Sequence, residues 1–193
     1  MDSKQAEQDL QVVKIGESPA SGTWHLDQAH TSVEFVARHL VFAKVRGRFD
    51  SFDGSIQVKE DGTIQIDGTI DPATISTNQS MRDDHLRSGD FLEVERFPKI
   101  TFSSTSVQGT GDESYEVVGD LTIKDVTNPV VLTAELYGVT TGTQGETRAA
   151  FSVKGEIDRF DFGLTWNAVI ETGAAVVGRK IQIEVEGQAI FKN

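Results

Sequence analysis

Chemistry-bearing residues crowd into one stretch of the chain, Thr74 to Ile100. Within it Arg82, Asp83, Asp84, His85 and Arg87 sit beside Phe91, Leu92, Val94 and Phe97. An arginine fork and a histidine can meet the phosphate or hydroxyl head group of an amphiphile whose tail the apolar residues receive. A histidine beside a carboxylate can serve as a general base, and histidines with carboxylates can hold a metal ion. The same residues also have a structural reading. Asp83 and Asp84 near a helix start offset its dipole, and Arg82 or Arg87 can pair with Asp90 or Glu93. Adjacent helical residues point in different directions, so Asp84 and His85 form no dyad by default. His25, His30, His39 and His85 lack the spacing of a helical HxxxH pair. The expectation is therefore no catalytic residue, no metal and no cofactor. The head-group candidates are His39, Arg82 and His85, with His39 reading more readily as a hydrogen-bonded core histidine than as a ligand contact.

The elements around this stretch are of a different kind. Thr77 to Ser80 can cap a helix start, Gly89 is a stop signal, and Pro98 bars a central-strand position. A short helix in a connector around residues 78–92 is expected. On both sides apolar and polar residues alternate with period two, as in half-buried strands. Asp61-Gly62 is a hairpin signal, and Ile181, Ile183 and Val185 against Gln182, Glu184 and Glu186 make the clearest strand. Roughly eight such segments with short turns predict an all-β, antiparallel up-and-down barrel or a sandwich. The inner faces carry Phe35, Phe49, Ile66, Phe102, Leu121, Phe151 and Ile183, which read either as packed core or as the wall of a tunnel. Phe91, Phe162 and Trp166 are added as residues that could line or cover its end. Gly47, Gly68, Gly119, Gly155 and Gly187 on the same faces would let strands bend or leave room in the lumen. An isomerase or cyclase of an apolar substrate is the alternative function, with Ser104, Thr133 and His39 as its only loose polar candidates.

Bulk properties narrow the partners. A chain of 193 residues is long enough for one domain with a full core. Its formal net charge of −12 disfavours nucleic acid and anionic surfaces at long range. It has no cysteine, which excludes disulfides and thiolate chemistry. No apolar run is long enough to span a bilayer, so no stable membrane insertion is expected. Residues 1–22 are polar and lack the features of a secretory signal. They are expected to be a flexible tail before a single domain, residues 23–193, in a cytoplasmic protein.

Several stretches together carry a family pattern. They are Asp27 to Phe35, Arg38-His39-Leu40, Gly47-Arg48-Phe49, Arg82 to Phe91, Phe97 to Phe102, Gly119 to Val130, Asp161-Phe162-Gly163 and Val177-Gly178. In that order and spacing the chain resembles the YceI-like family of polyisoprenoid-binding, lipocalin-like proteins. The resemblance implies a lipocalin-like barrel with a long apolar tunnel and the helical connector beside it. It further implies non-covalent binding of an isoprenoid or other long-chain amphiphile, commonly in a homodimer. The chain departs from the pattern at Asp125, where the family usually has glycine, and at Arg179, where it usually has an acid.

Overall fold

A computed structural model describes residues 20–40, 42–111, 113–168 and 176–192. The strands are β1 (Gly22–Leu26), β2 (Ser32–His39), β3 (Ala43–Phe49), β4 (Phe52–Val58), β5 (Ile64–Ile70), β6 (Ile75–Ser76), β7 (Ile100–Gly111), β8 (Ser114–Ile123), β9 (Val126–Thr141), β10 (Thr147–Asp158) and β11 (Val177–Lys192). The single α-helix among the described residues, α1 (Ser80–Arg87), lies between β6 and β7. Of the expected tail, residues 1–19 lie outside the described residues, and Gly22 already belongs to β1.

These strands make eight staves. β1 and β2 run along successive parts of β11, pairing Trp24 with Phe191 and Phe35 with Ile183. β3 and β4 lie beside them in the same way, on β2 and β1 respectively. β4 pairs with β5, and β3 with the short β6. The sheet continues through β7, β8, β9 and β10 to β11, and the β1–β11 pairing closes it. All pairings are antiparallel, and staves adjacent in sequence are adjacent in space. The expected eight-stranded antiparallel barrel is the architecture observed. Closure removes the exposed edges that an open sheet would present.

Local chemistry explains the turns and the bends. Asp61-Gly62 does form the β4–β5 hairpin. Gly62 sits at φ 83° and donates its N–H to the Lys59 carbonyl at 3.0 Å, a conformation that costs glycine little. The first stave bends at Asp27. Its carboxylate accepts from the Ala29 N–H at 3.0 Å, meets His30 Nδ1 at 2.8 Å and pairs with Arg148 Nη1 at 2.5 Å. Arg148 in turn holds Glu146 at 2.6 Å and the Gln188 side chain at 3.0 Å. The Arg148 hydrogen bond is the main reason that the Asp27 carboxyl lies below the usual carboxylate range, and burial opposes it only in part. A lowered folded-state pKa contributes stability above the ordinary value and loses it as pH falls through the folded value. Asp27→Asn is therefore expected to lower Tm at neutral pH and to flatten its dependence on pH below about 4. Thermal melts of both proteins from neutral to strongly acid pH check this.

The core divides into two clusters. Trp24, buried to 2% exposure, packs with Val58, Ala149 and Ala189 and stacks on Phe191 at 5.0 Å. It plugs the end of the barrel where the β4–β5 and β9–β10 hairpins lie. The larger cluster includes Ile75, Leu92, Ile100, Leu121, Ile123, Phe162 and Leu164 and occupies the other end, beneath the connector. Two of the inner-face glycines serve close packing rather than open space. A Cβ on Gly47 would meet the Phe35 ring at 2.2 Å, and one on Gly119 would meet the Phe102 ring at 2.4 Å. The rings occupy the space that a side chain at those positions would need.

Candidate functional site

The barrel encloses a cavity of about 390 Å³, within the size range of small-ligand sites, about 300–1,000 Å³. Its wall is built from inward side chains of every stave, among them Val33, Phe35, Ile56, Ile66, Phe102 and Ile183. Leu86, Phe91, Leu92 and Leu164 close it at the connector end. A void of this size is costly to a core. At about 24 cal/mol per Å³, packing lost over 390 Å³ corresponds to roughly 9 kcal/mol. That is comparable to the whole stability of an ordinary domain, about 5–15 kcal/mol. A sequence selected for stability alone would fill it.

Of the residues expected along a tunnel, Phe35, Phe49, Ile66, Phe91, Phe102, Leu121, Phe151 and Ile183 all lie on this wall. Phe162 does not. It is 2% exposed and packs into the cluster beneath the connector. Trp166 also lies off the wall and joins a ring cluster outside it. The three head-group candidates are likewise absent from the wall. His39 pairs in register with Val177 and Ala43 at the rim. Arg82 turns back on its own helix start, donating from Nε and Nη2 to the Thr77 hydroxyl and carbonyl at 2.6 and 2.9 Å. His85 meets Asp90 at 2.8 Å and sets its ring edge-on to Trp166 and Phe91 at 4.6 and 5.1 Å. It joins the connector to the segment that follows β10.

The helix itself is held by polar contacts. The Gln79 side chain caps it by accepting the Arg82 N–H at 2.6 Å. Buried Asp83 accepts both the N–H and the hydroxyl of Thr77. Arg87 donates to the Ala73 and Ile75 carbonyls at 2.7 and 2.8 Å and pairs with Asp84 at 3.0 Å. The helix stops at Arg87, two residues before Gly89. Its acids and bases are thus engaged with one another and with backbone.

The remaining arginines weighed for an anionic head group are also engaged. Arg46 pairs with Glu184 at 2.8 Å, Arg48 with Asp50 at 2.7 Å, and Arg179 with Asp158 at 2.8 Å while lying over the Phe160 ring. The loose catalytic candidates fare no better. The Ser104 hydroxyl accepts the Ile66 N–H at 2.8 Å beside a strand irregularity, and Thr133 is exposed. Among the described residues no three His, Asp or Glu side chains group as a metal site would require. No helix among them is long and apolar enough to cross a membrane.

One cationic wall residue escaped the sequence reading. Arg159 is 2% exposed and is the one cationic side chain on the cavity wall among the described residues. It donates to the carbonyls of Gly178 at 3.0 Å, Trp166 at 2.9 Å, Val177 at 3.3 Å and Leu164. Among the described residues no carboxylate forms a salt bridge with it. Burial depresses its pKa, since a charge is costly out of water. Four carbonyl dipoles offset part of that cost, and the same side chain ties the segment after β10 to the start of β11. Its place in Asp158-Arg159-Phe160-Asp161, with no hydrophobic period around it, gives no hint that it turns inward.

Comparison with known proteins agrees with the architecture. A family model described as the YceI-like domain matches residues 24–189. A UPF0312 protein of Staphylococcus aureus is 37% identical over 165 residues, covering 84% of this chain and 94% of that one. A Campylobacter jejuni YCEI protein superposes with a TM-score of 0.69 at 29% identity, covering 81% of this chain and 90% of that one. Burkholderia cenocepacia BcnA gives 0.73 at 21% identity, with 84% and 98% covered. A Saccharophagus degradans domain described as polyisoprenoid-binding gives 0.65 at 14% identity, with 90% and 100% covered. The last two likenesses concern the fold.

Proposed function

The chain belongs to the YceI-like family, and from that premise we propose that its barrel binds a long-chain amphiphile, an isoprenoid such as a prenyl quinone or prenyl phosphate, without chemical change. Its role is then carriage or sequestration, in a homodimer as the family resemblance implies. The observation that carries this reading is the apolar cavity, closed by Trp24 at one end and by the connector at the other. Each methylene moved there from water gains about 0.8 kcal/mol. About ten buried carbons therefore supply roughly 8 kcal/mol before the costs of association. Such a wall selects by apolarity and length and discriminates weakly between similar tails.

The polar end of the ligand lies toward Arg159. That side chain is the one cation among the described lining residues, which also include Glu34, Asp53, Asp67 and Glu135, and an oxygen-bearing head group is favoured beside it. Arg46, Arg48, Arg82 and Arg179 are occupied elsewhere, which favours a neutral or singly charged head group, such as a quinone, over a diphosphate.

Titration of lipid-stripped protein with a fluorescent polyene fatty acid tests the proposal, with prenyl alcohols of increasing length as competitors. Saturable one-site binding, displaced by the prenyl chains, is expected. Saturation at about 100 times Kd should stabilise the fold by about 2.7 kcal/mol, which raises Tm by roughly 5–10 °C for a domain of this size. Absence of saturable binding and of any thermal shift with all of these chains would overturn it.

A further inference from the structure

The end of the barrel that carries the connector also carries an unusual tip. Three of the five exposed large hydrophobic side chains among the described residues are found there: Leu40 and Phe42 in the β2–β3 hairpin, and Met81 on α1. Phe42 is 86% exposed and Met81 78%. Leu40 takes a left-handed φ of 48°, and its N–H donates to the Val176 carbonyl at 2.9 Å. A phenylalanine displayed almost wholly to water has no packing role in the barrel.

Charge distinguishes this tip from the rest of the surface. Residues 38–49 hold Arg38, Lys44, Arg46 and Arg48 and no acid, in a chain whose net charge is −12. Arg46 and Arg48 are paired with acids of other segments. Arg38 and Lys44 face each other across the hairpin, just behind Phe42, both exposed and neither in a salt bridge among the described residues. The acidic excess repels anions at long range. At physiological salt that field fades over about 8 Å, and an approaching surface then meets the two unpaired cations and the ring. An aromatic tip backed by cations suits the boundary between acyl chains and anionic head groups. A protein partner would instead need a broad complementary face. Position favours a lipid surface as well. The opposite end is plugged by Trp24 within the sheet, whereas the cover at this end is a connector outside the strand ladder.

We propose that the β2–β3 hairpin, with Met81 at the same end of the barrel, docks the protein peripherally on a bilayer containing anionic lipid, so that a ligand passes between membrane and cavity at the connector end. The purpose assigned to docking rests on the lipid-binding reading above, but the contact itself does not involve the cavity. The test is co-sedimentation with vesicles of phosphatidylcholine alone and of phosphatidylcholine mixed with phosphatidylglycerol. The proteins compared are wild type, Phe42→Ser and Arg38→Glu/Lys44→Glu. The wild type is expected to bind the mixed vesicles, more weakly as salt rises, and to bind pure phosphatidylcholine poorly. Each variant should lose roughly tenfold or more in vesicle affinity while keeping wild-type titration with the soluble polyene probe. Wild type that ignores the mixed vesicles, or variants that bind them as well as wild type, would overturn docking even with probe binding intact. Loss of self-association in Phe42→Ser, without any vesicle binding, would assign the tip to a second copy of the chain and equally overturn it. Probe failure in wild type with normal vesicle binding would remove the cavity reading alone.

Discussion

Replacing Gly68 by phenylalanine is expected to stabilise the protein and to abolish its binding of long apolar chains. Gly68 lies in β5 between Ile66 and Ile70, and all three line the cavity. A Cβ built there meets only the Asp53 carbonyl, at 3.9 Å, so a side chain enters open volume without a clash at its root. Burying a phenylalanine is worth about 1.5–3 kcal/mol, and removing a glycine from the unfolded ensemble adds about 0.4–1 kcal/mol. Imperfect fit returns some of this, leaving a net gain of roughly 1–3 kcal/mol, or about 3–10 °C in Tm. The ring also displaces the volume of several ligand carbons. At about 0.8 kcal/mol per methylene, excluding four of them weakens binding by roughly 200-fold. Thermal melts and probe titration of one variant thus read opposite signs. A filled core would instead be overpacked and destabilised, and a cavity that takes no ligand would show the stabilisation with no binding to lose.

Arg159→Met is expected to be the most damaging single substitution at the site. Methionine keeps much of the stem but leaves the carbonyls of Leu164, Trp166 and Gly178 without this donor, while that of Val177 keeps the Asn167 side chain at 2.7 Å. Unsatisfied buried acceptors cost about 1–3 kcal/mol each, and those that reach water cost less. A loss on the order of 3 kcal/mol or more is expected, read as a lower urea midpoint. Amide exchange should quicken first in the segment after β10 and at the start of β11, because this side chain holds the two together. Arg159→Lys should rescue little, since an ammonium cannot serve four acceptors spread around a planar fork. If Arg159 also orients the ligand, both variants should weaken a fatty-acid probe more than an uncharged hydrocarbon one.

The barrel was largely legible in the sequence because it rests on period-two alternation and on turn chemistry at Asp61-Gly62. Its staves were less so. β1 with β2, and β3 with β4, are single staves broken in the middle, and alternation says nothing about which break is a turn and which a bend. Asp27 decides the first through Arg148, a partner 121 positions away. Seven of the eight wall residues, all but Phe91 in the connector, could be placed because an inward position follows from parity along a strand. Outside strands that rule fails. Arg82 and His85 carry side chains suited to a head group, yet Thr77, Asp90 and two aromatic rings take them up. Phe162, three residues beyond Arg159 in a short 3₁₀ turn, packs beneath the connector instead of facing the lumen. Arg159 turns inward only because the carbonyls it serves converge in three dimensions.

The most direct test is native mass spectrometry of protein purified without detergent, followed by solvent extraction and identification of what is released. The cavity-based account predicts a stoichiometric long-chain amphiphile on wild type and its absence from Gly68→Phe prepared in parallel. Protein of apo mass that also fails to take up prenyl alcohols or fatty acids added afterwards would contradict it.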